Sequence, residues 1–364
     1  MRILILNWRD VKNPQSGGAE ILTYEIAKRW VKAGHKVTQL SANFGGGKTK
    51  EIINGVRVVR KGRWFTVHFL AAVEYFKNFR GKVDVVIDEV HWLPFWTRFY
   101  VKEKKVALVC EVADNLWDEI LPWPLNLVGR FLEKTYLFFY RSLPFLAISP
   151  STASDLEKRG IPAKDITILP MGISKPVNLK IYPKEKTPTL IFLGRLYSIK
   201  RPDAAILAFS QLVKKIPQAK LWIVGSGQDK YLNYLNKLLE KEGLVNKVKF
   251  FGNVPEEKKF ELLSRAHLML VPSLHEGWGL VVIEAATVGT PTIGFDVAGL
   301  RDSIIHGKTG LICQENNPSS LASNVIKLLE DKNKYAHIQS NAISWSKNFS
   351  WEKTAKKSLG LIEN

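Results

Sequence analysis

Two glutamates, Glu276 and Glu284, stand with seven residues between them in the stretch HEGWGLVVIEAATVGTPTI. The first lies in a Gly-rich turn, Glu276-Gly277-Trp278-Gly279, and the second on the apolar segment that follows. Glycines let backbone N–H groups approach a ligand closely. The segment from Leu280 reads as a helix, so its N-terminus adds positive potential at the same spot. Backbone donors, a helix end and two acceptor-only carboxylates suit a ligand that carries both phosphate and hydroxyls. On one continuous helix the two glutamates would sit about 80° apart and about 12 Å along the axis. Only a turn at Glu276 lets both face one ligand, and the apolar strand 268–273 just before it provides for that turn.

Other candidates surround this pair. Arg195 and Lys200 follow the strand Leu190–Leu193 and the turn at Gly194. Arg can fork onto phosphate oxygens while Lys acts as a point charge. Two cations after a strand carry no signal alone in a chain with 53 Lys and Arg. Gly17 and Gly18 follow a polar loop and precede a helical pattern from Ala19, an arrangement friendly to anions or a plain helix cap. The run 45–47 reads as a mobile loop. Gly225-Ser226-Gly227 follows a strand, but Lys230 stands where a dinucleotide fingerprint needs its third glycine, which argues against a nicotinamide enzyme.

Taken together, the motifs resemble a known family. PSLHEGWGLVVIEAATVGTPTI and LIFLGRLYSIKRPD resemble the donor-site signature of the retaining glycosyltransferases of family four. SGGAEILTYEIAKRWVKAGHKVT resembles that family's N-terminal phosphate and acceptor loop, and FSWEKTA its C-terminal helix. The resemblance implies an α/β chain of the GT-B fold, with two Rossmann-like doubly wound parallel-sheet domains facing a central cleft. It implies a hexose moved from a UDP- or GDP-sugar to an acceptor hydroxyl of a glycan or lipid-linked molecule, with retained configuration and no cofactor. Glu284 is then expected at the ribose, Glu276 at the sugar hydroxyls near the reacting carbon, and Arg195 and Lys200 at the diphosphate. Gly277, Trp278, Gly279 and Leu280 are expected to offer backbone N–H groups to sugar and phosphate, and Gly17 and Gly18 to contact phosphate or acceptor. Trp278 departs from the family's more usual Phe.

A leaving diphosphate needs its growing negative charge stabilised. No Asp-x-Asp metal-holding motif occurs in the chain, so fixed cations are expected to do this and no metal is expected. Family members often carry a His after the strand that here reads Val106–Val109, but this chain has Cys110 and Glu111 there. Glu111, Asp114 and His91 are the acceptor-side candidates, and Cys110→Ala is expected to keep substantial activity.

The elements that must position these residues alternate between apolar strands and helical patterns along the chain, which argues for parallel sheets. The expected division is an acceptor-side domain over 1–172, a nucleotide-sugar domain over 173–345 and a C-terminal helix over 346–364 crossing back to the first. The stretch 171–188, rich in Pro and Lys, reads as the linker. Two cysteines provide no disulfide framework, and no apolar run approaches the ~20 residues of a membrane span. Cytoplasm is the expected location, with peripheral contact to the inner face of the membrane.

A formal charge of +19 favours anionic partners. It is spread over both halves without a basic arm or RNA-binding motif, which argues against nucleic acid. A non-catalytic sugar-nucleotide binder and a nucleotide-sugar epimerase are the rivals on the same scaffold. The stretch 57–82 mixes seven cations with aromatics. Read as a helix, it carries Phe65, Phe69, Val73 and Phe76 on one stripe and His68, Ala72, Tyr75 and Phe79 on another. That pattern predicts salt-sensitive contact with anionic lipid, with Arg60, Lys61 and Arg63 among the basic residues.

Overall fold

The computed structural model describes residues 1–113 and 116–363. The chain divides into two compact units, residues 1–172 with 350–364, and residues 173–349.

The first unit contains β1 (Arg2–Leu6), α1 (Gly18–Lys32), β2 (Lys36–Ser41), β3 (Lys50–Ile53), β4 (Val56–Arg60) and α2 (Val67–Glu74), which runs on into a π-helical turn, Tyr75–Phe79. After these come β5 (Val85–Val90), α3 (Thr97–Tyr100), β6 (Lys104–Val109), α4 (Leu116–Ile120), α5 (Leu125–Tyr140), β7 (Phe145–Ala147), α6 (Pro150–Glu157) and β8 (Ile166–Ile168). The second unit holds β9 (Thr189–Leu193), α7 (Pro202–Lys215), β10 (Lys220–Val224), α8 (Asp229–Lys241), β11 (Val248–Gly252), α9 (Glu256–Arg265) and β12 (Leu268–Val271). It continues through α10 (Leu280–Thr287), β13 (Thr292–Gly294), α11 (Ala298–Ser303), β14 (Gly310–Ile312), α12 (Pro318–Glu330) and α13 (Lys332–Ser346). The last helix, α14 (Trp351–Glu363), packs in the first unit, where Glu352 pairs with Arg29 of α1 at 2.6 Å.

The strand orders are β3-β4-β2-β1-β5-β6-β7-β8 and β11-β10-β9-β12-β13-β14. Every neighbouring pair is parallel except β3 with β4. Two-sided burial explains the apolar strands: Leu190 and Phe192 pack with α7 and α12 on one face of β9, while Ile191 packs with α9 and α10 on the other. Each such fully buried side chain contributes about 1.5–3 kcal/mol.

Chain order reverses between β9 and β12 in one sheet and between β1 and β5 in the other. A doubly wound sheet binds ligand beyond the carboxyl ends of its strands at such a switch point. The loops after β9 and β12 carry Arg195, Lys200 and Glu276. Those after β1 and β5 carry Gly17 and His91.

The stretch 57–82 is not one helix. Arg57 and Arg60 lie in β4, and helix begins only at Val67. Arg60 is 1% exposed, its guanidinium paired with Asp10 and Glu51 at 2.6 and 2.5 Å. It is therefore a buried structural cation and not a lipid contact. Strand periodicity explains the correction: Val56, Val58 and Arg60 share the inward face of β4.

Candidate active site

In the second unit, Gly194 leaves β9 with φ at 157°. It lies against the loop after β10. Gly225 N–H donates to the Gly252 carbonyl, and a Cβ on Gly225 would stand 1.9 Å from the Gly194 carbonyl oxygen. A Cβ on Gly227 would stand 2.1 Å from the Leu196 carbonyl oxygen, and Leu196 N–H donates to the Ser226 carbonyl at 2.8 Å. The Gly-Ser-Gly run thus acts as a packing surface that fixes the loop bearing Arg195. Arg195 itself is exposed, its guanidinium 5.1 Å from the Tyr197 ring centre.

Lys200 ends a 3₁₀ turn, Ser198–Lys200, and reaches across to the loop after β12. Its Nζ lies 2.5 Å from Glu276 Oε1 and 3.5 Å from the His275 carbonyl oxygen. Ser273 Oγ donates to the same Glu276 oxygen at 2.8 Å. Leu274 N–H donates to the Ile199 carbonyl at 2.8 Å, which ties the two loops at the backbone. Two residues 76 positions apart are thus brought into contact at the switch point.

The turn after Glu276 is fixed by close packing. Gly279 caps α10 in the left-handed region with φ at 86°, where a side chain would be strained. Gly299 N–H donates to the Glu276 carbonyl at 3.0 Å, and a Cβ there would stand 2.4 Å from that oxygen. Trp278 turns its ring away: it is 6% exposed and stands edge-on to Phe349 at 5.3 Å, which in turn meets Trp345. Trp278 therefore presents its backbone to the turn, while its side chain packs beneath α13.

Glu284 lies one turn into α10 and pairs with Lys259 of α9 at 2.7 Å. Lys259 also meets Glu256 at 3.0 Å. Burial pushes the Glu284 carboxyl above the usual carboxylate range against the pull of Lys259. Burial lowers Lys259, but the two carboxylates outweigh it and hold its ammonium above the ordinary range. Sequence reasoning missed Lys259, because Glu256-Glu257-Lys258-Lys259 reads as a solvated helix face.

In the first unit, Gly17 caps α1, and its N–H donates to Glu20 Oε2 at 2.6 Å. That donor is engaged within the helix cap. Glu20 is buried and pairs with Arg9 at 2.9 Å, and Arg9 lies 4.1 Å over the Trp8 ring. Gly18 opens the first turn of α1. His91 follows β5 and stacks on Trp8 at 4.8 Å. Cys110 follows β6 and is buried, which pushes its thiol well up. Glu111 is half-buried beside it. Asp114 lies outside the described residues.

Glu89, near the end of β5, also escaped the sequence reading. It is 1% exposed, and its Oε2 accepts from Asn7 and from Thr23. Burial raises its carboxyl well above the usual range. Its signal was the acid pair Asp88-Glu89 within an otherwise apolar strand. Asp88 has a structural task, accepting from Phe95 N–H, Thr97 and Tyr140. Among the described residues no cluster of three or more His, Cys, Asp or Glu is arranged to hold a metal ion.

Fold and site together define an α/β protein with polar, charged loops at the switch point of each doubly wound sheet. Residues 175–345 match the family described as glycosyl transferases group 1, and residues 16–175 match glycosyltransferase family 4. The chain belongs to the family-four glycosyltransferases. It is 31% identical over 182 residues to the D-inositol 3-phosphate glycosyltransferase of Nocardia farcinica, a match over 49% of this chain and 40% of that protein. The chain spans 40 to 42% of the length of this and similar curated relatives. Among solved structures, sucrose-phosphate synthase from Thermosynechococcus elongatus superimposes with a TM-score of 0.81 at 20% identity, over 100% of this chain and 98% of that one. The Anabaena protein HepE in complex with UDP and glucose gives 0.76 at 19% identity, over 100% and 99%. These likenesses identify the fold as GT-B.

Proposed function

We propose that the protein transfers a hexose from a UDP- or GDP-sugar to an acceptor hydroxyl, with retention at the anomeric carbon and without a metal. The observation that carries this reading is the Lys200–Glu276 contact at the switch point beside the Gly-rich cap of α10. It puts a cation for phosphate and a carboxylate for sugar hydroxyls within one hydrogen bond. The HepE complex with UDP and glucose supports a nucleotide-sugar donor for this fold.

Arg195 and Lys200 would stabilise charge as the anomeric C–O bond breaks and the diphosphate leaves with the electron pair. Glu284 would accept from the ribose hydroxyls and Glu276 from the sugar. Backbone N–H groups of Gly277, Trp278, Gly279 and Leu280 would add donors beside the positive end of α10. The acceptor oxygen attacks the same face through an oxocarbenium-like state, and its proton passes to a diphosphate oxygen. The first unit would hold the acceptor, with His91, Glu111 and the Gly17-Gly18 cap as candidate contacts. The acceptor class in this reading is a lipid-linked or envelope glycan.

The test is transfer of labelled sugar from a donor panel to membrane extract, in chelator, with product configuration read by NMR. The reading expects a glycoside of unchanged configuration. Isomerised free sugar, an inverted product, or activity that returns only with added Mg²⁺ would overturn it in turn.

A further inference from the structure

The first unit carries an unusual surface on α5. The helix turns Gly129, Tyr136, Leu137 and Tyr140 inward. It presents Leu127, Phe131 and Phe138 to solvent at 52, 68 and 54% exposure. The sequence reading did not single out this helix. Its rings meet those of α3, and half-buried Tyr100 of α3 meets the π-helical turn that follows α2. Phe138 meets Phe139 at 5.5 Å, and Phe139 meets Phe99 of α3 at 5.3 Å. The next residue of α3, Tyr100, meets Phe76 at 6.0 Å. Beyond Phe76, α2 exposes Phe69 at 71%, and the turn before it exposes Phe65 at 61%.

Cations border this band. Arg141 lies 4.3 Å over the Phe138 ring and Arg80 lies 5.6 Å over Phe76. Lys77, Arg98 and Lys134 are exposed between and beside them. Of the nearby acids, Glu74 pairs with Lys61, Asp118 with Arg130, and Glu103 accepts from Tyr75, while Glu119 of α4 is exposed.

Soluble surfaces rarely leave so many large apolar side chains of neighbouring elements exposed. We propose that the aromatic–arginine band of α2, α3 and α5 is a docking surface for an anionic lipid bilayer. The rings would enter the headgroup boundary while Arg and Lys meet lipid phosphates. Charge decides between occupants. A second copy of this chain would bring like-charged rims together, which is unfavourable. An anionic bilayer complements both rings and rim. The proposal deepens the lipid-acceptor reading and rests on it only for its purpose, since docking can be measured without any acceptor.

The experiment is co-sedimentation of the full chain with vesicles of phosphatidylcholine alone and with added phosphatidylglycerol. The variants are Phe131→Ser with Phe138→Ser, and Phe65→Ser with Phe69→Ser. These side chains are exposed, so the fold should persist, and a melting curve checks it. The expected result is binding to anionic vesicles that weakens with salt, little binding to neutral ones, and at least about tenfold weaker partition for each double variant. Equal binding to both vesicles, or unchanged partition in the Phe131/Phe138 variant, would overturn the proposal. A concentration-dependent dimer abolished by the same variant would also overturn it and assign the face to a second copy. The response to the UDP- or GDP-sugar that wild type binds should be the same in both variants. A wild type that docks but responds to neither donor would instead sink the transferase reading.

Discussion

Lys259 Nζ lies 2.7 Å from Glu284 Oε1, joining α9 to the turn of α10 that is expected to hold the donor's ribose. Removing one partner of a sheltered pair leaves the other charge uncompensated. Lys259→Met should weaken donor affinity by about tenfold or more and destabilise the fold by about 1–3 kcal/mol. Burial already raises the Glu284 carboxyl, and without the ammonium it rises further. The ionised form that accepts hydroxyl bonds is then lost at higher pH. Donor affinity in the variant should therefore fall as pH drops from neutral, earlier than in wild type. Calorimetric titration across pH checks both points, and an affinity that holds or rises on acidification would contradict the assignment.

Gly225 should be intolerant for a reason unrelated to nucleotide chemistry. With φ at 133° and a Cβ 1.9 Å from a backbone oxygen, Gly225→Ala must shift the loop that carries Arg195. A loss of about 3 kcal/mol or more is expected, with a raised donor KM. Gly243 has φ at 67° and nothing within 4 Å of its Cβ. Gly243→Ala should cost only about 1 kcal/mol of left-handed strain and leave KM alone. Denaturant unfolding and donor kinetics on the two variants separate packing from backbone strain.

Arg60 and Arg63 offer a second contrast. Arg60 is buried between Asp10 and Glu51, so Arg60→Ser should destabilise by about 3–5 kcal/mol. Arg63 is exposed, and Arg63→Ser should stay within about 0.5 kcal/mol. Similar melting curves for both would show that the buried pair adds no stability.

Lys184 gives the fold a pH dependence. Its Nζ donates to the Ala266 carbonyl and to Thr290 Oγ1, both at 2.7 Å, and burial pulls it from 10.5 down to about 7. The fold prefers the neutral amine. The stability tied to this group is therefore complete above pH 10.5 and is lost as pH falls to about 7. Lys184→Met should melt higher than wild type at pH 6, and the gap should narrow steadily towards pH 10. A gap that ignores pH would remove the argument.

How these sites read from sequence depended on whether the cause was local. β9, β10 and β12 show as apolar runs because they are buried on both faces, and the residues after them could be placed from that alone. The short strands β3, β4, β8 and β14 were not recognised, since three to five residues are too few to establish a periodicity. Glu276 and Lys200 stood out by motif. Their contact did not, because it depends on which strands are neighbours. Lys259 and Glu89 look ordinary until the fold buries them. Arg60 misled because a cation among aromatics suggests a surface, while its partner Asp10 is 50 residues away and Glu51 faces it only once β3 pairs with β4. Trp278 was legible as an aromatic in the turn, but its inward direction follows from Phe349, 71 residues on.

The central claim is that the loops after β9 and β12, with α10, form a nucleotide-sugar site. Thermal unfolding of wild type and of Glu284→Gln and Lys200→Ala, titrated with UDP-, GDP- and ADP-sugars, tests it most directly. A ligand that binds only the folded state adds about 2.7 kcal/mol at a hundredfold excess over its Kd. The account predicts that one nucleotide class raises the wild-type melting temperature in a concentration-dependent way. The same ligand should do so far less in either variant, although both remain folded. A wild-type protein indifferent to every nucleotide sugar, or variants that respond as fully as wild type, would contradict it.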